Sequence, residues 1–226
     1  MKKSFYLLIL LAILLQSCSF LDPYGKGYIN YGATIGSTEK NDNISYIQTD
    51  DTVAILIKNM NFPDSVLGQR IYLEGDFYKG SGGYTYAINV LKNVLVPIKE
   101  IQDAENQNVI DLANNASMSL NNNGIWQTIK YLNISLSYYA SEPNKHSFSF
   151  FINNQTEMFD NNRVTIYICH DNGGDKILYQ SYSMLLSLDL TKLFDKFTDK
   201  FDIKFVYTEN SNPKDLTIVG IKNYRQ

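Results

Sequence analysis

The chain has 226 residues with 20 basic and 23 acidic side chains, a formal charge of −3. That length allows two modest domains or one large β domain. An acidic balance without a basic run disfavours nucleic acid as a partner, and two cysteines with two histidines leave neither a disulfide framework nor a histidine-rich metal site. Tyrosine is the abundant aromatic, 17 against 12 phenylalanines, which with frequent asparagine is a strand-and-turn composition.

The N-terminal stretch decides where the rest resides. Lys2 and Lys3 open it, Phe5 to Leu15 is unbroken apolar sequence, and Leu15-Gln16-Ser17-Cys18 closes it. This is the layout of a secretory signal, too short for a spanning helix. A cysteine three places after a leucine looks like a lipoprotein signal, so residues 1–17 are expected to be removed and Cys18 to carry lipid. Cys169 is then left without an intramolecular partner. Residues 18–29, with Pro23, Gly25 and Gly27, read as a tether.

Residues 30–102 read as the first domain. Tyr28 to Ile35, Ile44 to Gln48 and Val53 to Ile57 are short β-prone runs with polar punctuation between them. After a loop holding Pro63, Arg70 to Glu74 makes a fourth strand that Gly75 is expected to bend, and Tyr84 to Val90 alternates as a fifth running on toward Ile98. Five strands with no helix to cover them have exposed edges that closure into a small barrel removes. Residues 103–123, rich in Asn, Gln, Asp and Ser, with a weak helical pattern between Val109 and Ala113, read as a linker.

Residues 124–226 read as the second domain, with a clearer period of two. Leu132, Ile134, Leu136 and Tyr138 share one face against Asn133, Ser135 and Ser137. The pattern repeats in Phe148-Ile152, Val164-Ile168, Tyr182-Leu188 and Ile203-Tyr207, with turns at Ser141 to Asn144 and Asp171 to Gly174. Sheets with one apolar face must pair, which gives an antiparallel β-sandwich. Leu190, Leu193, Phe194, Phe197 and Phe201 recur at helical spacing behind Asp189, a suitable N-cap, so one short helix is expected across an end of the sandwich. The expected fold is therefore all-β, a five-stranded barrel followed by a sandwich.

The leader, Gly68-Gln69-Arg70-Ile71-Tyr72, Tyr131-Leu132-Asn133-Ile134, His146 before a strand, and His170-Asp171-Asn172-Gly173-Gly174-Asp175 together resemble the NigD-like lipoproteins of Bacteroidetes over nearly all of the mature chain. The resemblance implies an N-terminal OB-like barrel, a C-terminal β-sandwich and an envelope address at the outer membrane. It also implies a link to bacteriocin gene clusters and hence an immunity role. It carries over no catalytic residues.

Cys169-His170-Asp171 and Asp175 offer mixed metal donors, but the spacing fits neither a zinc pattern nor a calcium loop. Alternation places His170 with Ile166 and Ile168, and Cys169 on the opposite face. A buried, hydrogen-bonded His170 beside a glycine turn is the simpler expectation, with no metal and no cofactor. His146 or His170 could serve a hydrolase, yet no G-x-S-x-G run is present. Glycoside cleavage by paired carboxylates depends on a spatial separation that sequence does not give. Tyr72, Tyr78, Tyr84 and Tyr86, with Tyr131 and Tyr139, could instead present aromatic area to a glycan or protein. The expectation is a non-enzymatic, lipid-anchored binding module of the bacterial outer membrane, on its periplasmic face, with bacteriocin immunity or an envelope hydrolase as alternatives.

Overall fold

The computed structural model describes residues 27–104, 116–153, 162–176, 179–197 and 199–222. The leader, Cys18, most of the tether and the helical pattern between Val109 and Ala113 lie outside these residues. The chain divides into two compact units, one up to Val94 and one from Leu95.

The first unit is a closed barrel of five strands: β1 (Tyr28–Asn41), β2 (Ile44–Thr49), β3 (Ala54–Ile57), β4 (Arg70–Lys79) and β5 (Tyr86–Leu95), in the order β1-β2-β3-β5-β4. The β3–β5 pairing is parallel, and β4 returns antiparallel to β1, so none of the five is an edge. Ile47, Ile55, Ile57, Ile71, Leu73, Ile88 and Val90 fill the interior, and Phe62 from the β3–β4 connection joins them. Gly75 does not interrupt β4. A Cβ there would lie 2.0 Å from the Asn89 carbonyl oxygen, so only glycine lets β4 pass β5 at that point.

The second unit is a sandwich. Its five-stranded sheet runs β14 (Asn212–Ile221), β13 (Lys200–Glu209), β11 (Arg163–Asp171), β10 (Ser147–Asn153) and β7 (Ile101–Ala104). Its four-stranded sheet runs β6 (Ile98–Lys99), β12 (Gln180–Asp189), β9 (Tyr131–Ala140) and β8 (Met118–Gln127). The inward positions are those the alternation marked: Leu132, Ile134 and Leu136 from one sheet face Phe148, Phe150, Ile166 and Ile168 from the other.

Four features differ from expectation. The sheets are mixed rather than antiparallel throughout, because β7 joins β10, β11 joins β13 and β6 joins β12 in parallel. The barrel does not run to residue 102: β5 ends at Leu95, and 98–104 belongs to the sandwich, switching from one sheet to the other at Glu100. The supposed linker 103–123 contains the end of β7 and the first half of β8. A register shift between Leu120 and Ile125 breaks the alternation of β8, and its Asn-rich bulge reads as a loop. The helix, α1 (Thr191–Phe194), is a single turn. Its N-cap is Leu190 rather than Asp189, although Asp189 accepts a hydrogen bond from the Thr191 amide at 2.8 Å; Phe201 lies on β13, stacked on Phe197 at 4.2 Å, and its helical spacing is coincidental.

Candidate functional site

Two peptide turns and one strand end bring the chain's two histidines together. His146 follows a 3-10 turn at Pro143–Lys145 and immediately precedes β10, in phase with inward Phe148 and Phe150. His170 lies near the end of β11, opposite Phe148, whose ring stacks on it at 4.4 Å. The following turn folds back because Gly173 and Gly174 take positive φ, and a Cβ on Gly173 would stand 2.6 Å from the Lys145 carbonyl oxygen. That close approach delivers Asp175 to the histidines.

The result is a linear chain of polar contacts. His170 Nδ1 is 3.2 Å from the carbonyl oxygens of both Ala116 and Ser117. His170 Nε2 is 2.9 Å from His146 Nδ1, and His146 Nε2 is 3.2 Å from Asp175 Oδ2. That carboxylate oxygen also accepts the Ser141 and Glu142 amides at 2.7 and 2.8 Å. All three side chains are buried; His170 is 1% exposed. Burial, reinforced by the charge of His146, pushes the His170 pKa down to about 4.

The His146 and His170–Asp175 parts of the resemblance thus converge spatially, but inside the sandwich rather than in a cleft. Each imidazole nitrogen already faces a partner within the chain, and among the described residues no cluster of three or more His, Cys, Asp or Glu is arranged to hold a metal. Cys169 points away as expected and is buried, its thiol pushed up to about 11. Asp171 is the last residue of β11, and its Oδ1 accepts the Gly173 amide of the following turn. A shallow depression of about 200 Å³ lies elsewhere, lined by Glu100, Ile101, Asp189, Thr191 and Lys192. It is smaller than typical ligand pockets of about 300–1,000 Å³.

The tyrosines separate into two groups. Tyr86 and Tyr139 are 40% and 58% exposed. Tyr84 is half-buried, 5.5 Å from the Tyr46 ring. Tyr72 donates to Glu74 at 2.8 Å, and burial with that carboxylate pushes its hydroxyl up to about 12. Tyr78 is buried under the Lys58 ammonium, 3.9 Å from its ring centroid. Tyr131, expected to present its ring to a partner, is buried, so it offers nothing to one.

Sequence reasoning missed two features, one in each unit. The Ala116 and Ser117 carbonyls fell in the supposed linker, and no backbone acceptor announces itself by residue type. The other is Arg70 in the barrel, whose guanidinium makes a two-pronged contact to Asp50 at 2.7 and 2.8 Å while 2% exposed. It stood in the quoted Gly68–Tyr72 run without being given a role.

Among the described residues, no helix is long and apolar enough to cross a membrane. No curated protein matches the chain. Solved structures do. A protein of unknown function, DUF1344, from Bacteroides vulgatus is 17% identical, with a TM-score of 0.66 over 87% of this chain and 92% of that one. A candidate lipoprotein from Bacteroides fragilis is 11% identical, TM-score 0.61, over 88% and 99%. A NigD-like immunity protein from Bacteroides caccae is 17% identical, TM-score 0.58, over 88% and 98%. At such identities the likeness speaks for the fold. The model of the NigD-like C-terminal β-sandwich domain matches residues 97–219, more than half of the chain and nearly the whole sandwich, and this protein therefore belongs to the NigD-like family.

Proposed function

We propose that the protein is a lipid-anchored component of the bacterial outer membrane, on its periplasmic face, that works by binding an envelope protein or glycan rather than by catalysis. The observation that carries this reading is the seating of both histidines. A general base must reach its substrate directly or through one water, and the His146 side chain is wholly buried while His170 is nearly so. The hydrolase alternative needs one of these rings at a surface. Aromatic area for recognition is available elsewhere, on exposed Tyr86 and Tyr139. Lipid on Cys18 follows from the leader and agrees with the candidate lipoprotein among the structural neighbours.

The test is capture of partners by the anchored protein displayed on vesicles, with Tyr86→Ala and Tyr139→Ala as controls. A partner enriched by the wild type and lost on substitution supports the reading. Hydrolytic activity abolished by His146→Gln or His170→Gln would overturn it. Labelling cells with a clickable fatty acid tests the anchor, which requires a tag that disappears in Cys18→Ala.

Immunity to a bacteriocin is the second reading, favoured by the likeness to the Bacteroides caccae immunity protein. It is a special case of binding in which the partner is a toxin. Challenge of deletion and complemented strains with the cognate bacteriocin decides it, and equal survival counts against it.

A further inference from the structure

We infer that His146, His170 and Asp175 form a proton-binding site inside the sandwich, holding one proton more than two neutral imidazoles and a carboxylate supply, and that this proton joins three separate segments. The inference follows from counting. Carbonyl oxygens only accept, so His170 Nδ1 must donate to Ala116 and Ser117. The 2.9 Å contact between the rings takes a second proton. Asp175 Oδ2 already accepts two backbone amides and can meet His146 Nε2 only if that nitrogen donates a third. Three links need three protons, whereas two neutral rings bring two. His170, donating from Nδ1, accepts at Nε2, so His146 carries both of its ring protons and lies against the Asp175 carboxylate.

Among the described residues, the neighbouring titratable groups bring no further proton to the site, and the charge of Asp171 acts on His170 only as the last of its influences. From β9, the Tyr138 ring stands 5.0 Å from His146 and 5.4 Å from His170, with Tyr182 of β12 stacked behind it at 6.1 Å. Burial raises the Tyr138 hydroxyl's pKa, so it stays neutral. From the turn before β10, Glu142 and Lys145 pair with each other at 2.7 Å at the surface. Asp171, at the end of β11, is exposed and bonded to the Gly173 amide. Phe148 closes the remaining side.

The bound proton makes folding sensitive to pH in both directions. The unfolded chain holds four ring protons well below about pH 6.5 and two well above it, whereas the folded site holds three. On the acid side the unfolded state binds more protons, so stability falls as pH drops. On the alkaline side the folded state binds more, so stability falls as pH rises. The site's contribution therefore peaks near pH 6.5 and declines by up to about tenfold in the folding constant per pH unit on either side. The two limbs have different causes. A merely buried, neutral histidine pair gives the acid limb alone; only the extra proton gives a limb between about pH 6.5 and 8. The Cys169 thiol, pushed up to about 11, loosens the fold only above its ordinary value and leaves that window clear.

The experiment is urea unfolding of the full chain at half-unit steps from pH 5 to 8, wild type against His146→Gln. The wild type is expected to peak near pH 6.5, and the variant to lose the alkaline limb. Coincident profiles for the two proteins would overturn the inference. Should the variant fail to fold, nitrogen-15 spectra of the wild-type imidazoles at pH 6.5 decide the matter. His170 neutral with its proton on Nδ1 beside a doubly protonated His146 upholds the site, and two neutral rings refute it.

Discussion

Removing Asp50 tests whether the Arg70 pair holds the barrel together. The guanidinium bonds both carboxylate oxygens at 2.7 and 2.8 Å, and the two side chains are 1% and 9% exposed. Asp50→Ala leaves a permanently charged group in the interior without its anion. Breaking one side of a buried pair typically costs about 3–5 kcal/mol, a large share of the ~5–15 kcal/mol that holds a domain folded. For a unit of about a hundred residues each kcal/mol moves the melting temperature by about 4–8 °C, so a fall of at least about 12 °C is expected in a circular-dichroism melt. Replacing the pair together, Asp50→Leu with Arg70→Met, should recover part of the loss, since no charge is then stranded. An Asp50→Ala protein melting within about 3 °C of wild type would show that the pair is a passenger.

Other substitutions probe the remaining constraints. Gly75→Ala places a methyl group 2.0 Å from the Asn89 carbonyl oxygen, so β4 and β5 must part; loss of about 3 kcal/mol or more is expected in urea unfolding, and a wild-type midpoint would contradict the close approach. Gln127→Ala removes an amide that donates to the Ile221 carbonyl at 2.6 Å and accepts its N–H at 2.9 Å, tying β8 to the end of edge strand β14. It should cost about 1–3 kcal/mol and speed amide exchange at Ile221, whereas unchanged exchange would mean that the tie is idle. The Cys169 thiol, buried and pushed up to about 11, should resist thiol reagents at pH 8 in the native protein and react once the chain is unfolded in urea. Rapid native labelling would contradict its burial.

Most of the fold was legible because its strands bury one face each. Leu132-Ile134-Leu136 and Phe148-Phe150-Ile152 alternate without interruption, and all six are buried. Legibility failed where burial is weak or the period breaks. Asn212–Ile221 is an edge strand with most of its side chains in water, opening on Asn212-Pro213-Lys214-Asp215, so its alternation begins only at Leu216 and is shallow. Met118–Gln127 carries a bulge, and 98–104 is divided between two sheets. The site was legible in part. Alternation placed His170 inward and Cys169 outward, and the glycines marked the turn. That His146 would meet His170 depended on the antiparallel pairing of β10 with β11, a long-range fact that no local pattern carries.

The polar residues that carry the family resemblance are mostly hidden. Arg70, Asn133, His146, His170 and Asp175 are all buried, and each is tied to a distant segment: Arg70 to the loop after β2, Asn133 to Ser187 on the next strand, the histidines and Asp175 to each other. Among the described residues no disulfide staples the strands, so buried polar ties are among the constraints that specify how they register. A motif of this kind maintains a fold and says little about what the fold binds, which is why shared residues and a shared sandwich leave the partner open. On the binding role proposed above, the contact with a partner falls to exposed side chains such as Tyr86 and Tyr139. Exchanging those positions between family members should transfer partner choice, whereas exchanging the buried ones should change stability alone. Binding specificity that moved with His146 or Arg70 instead would break that division.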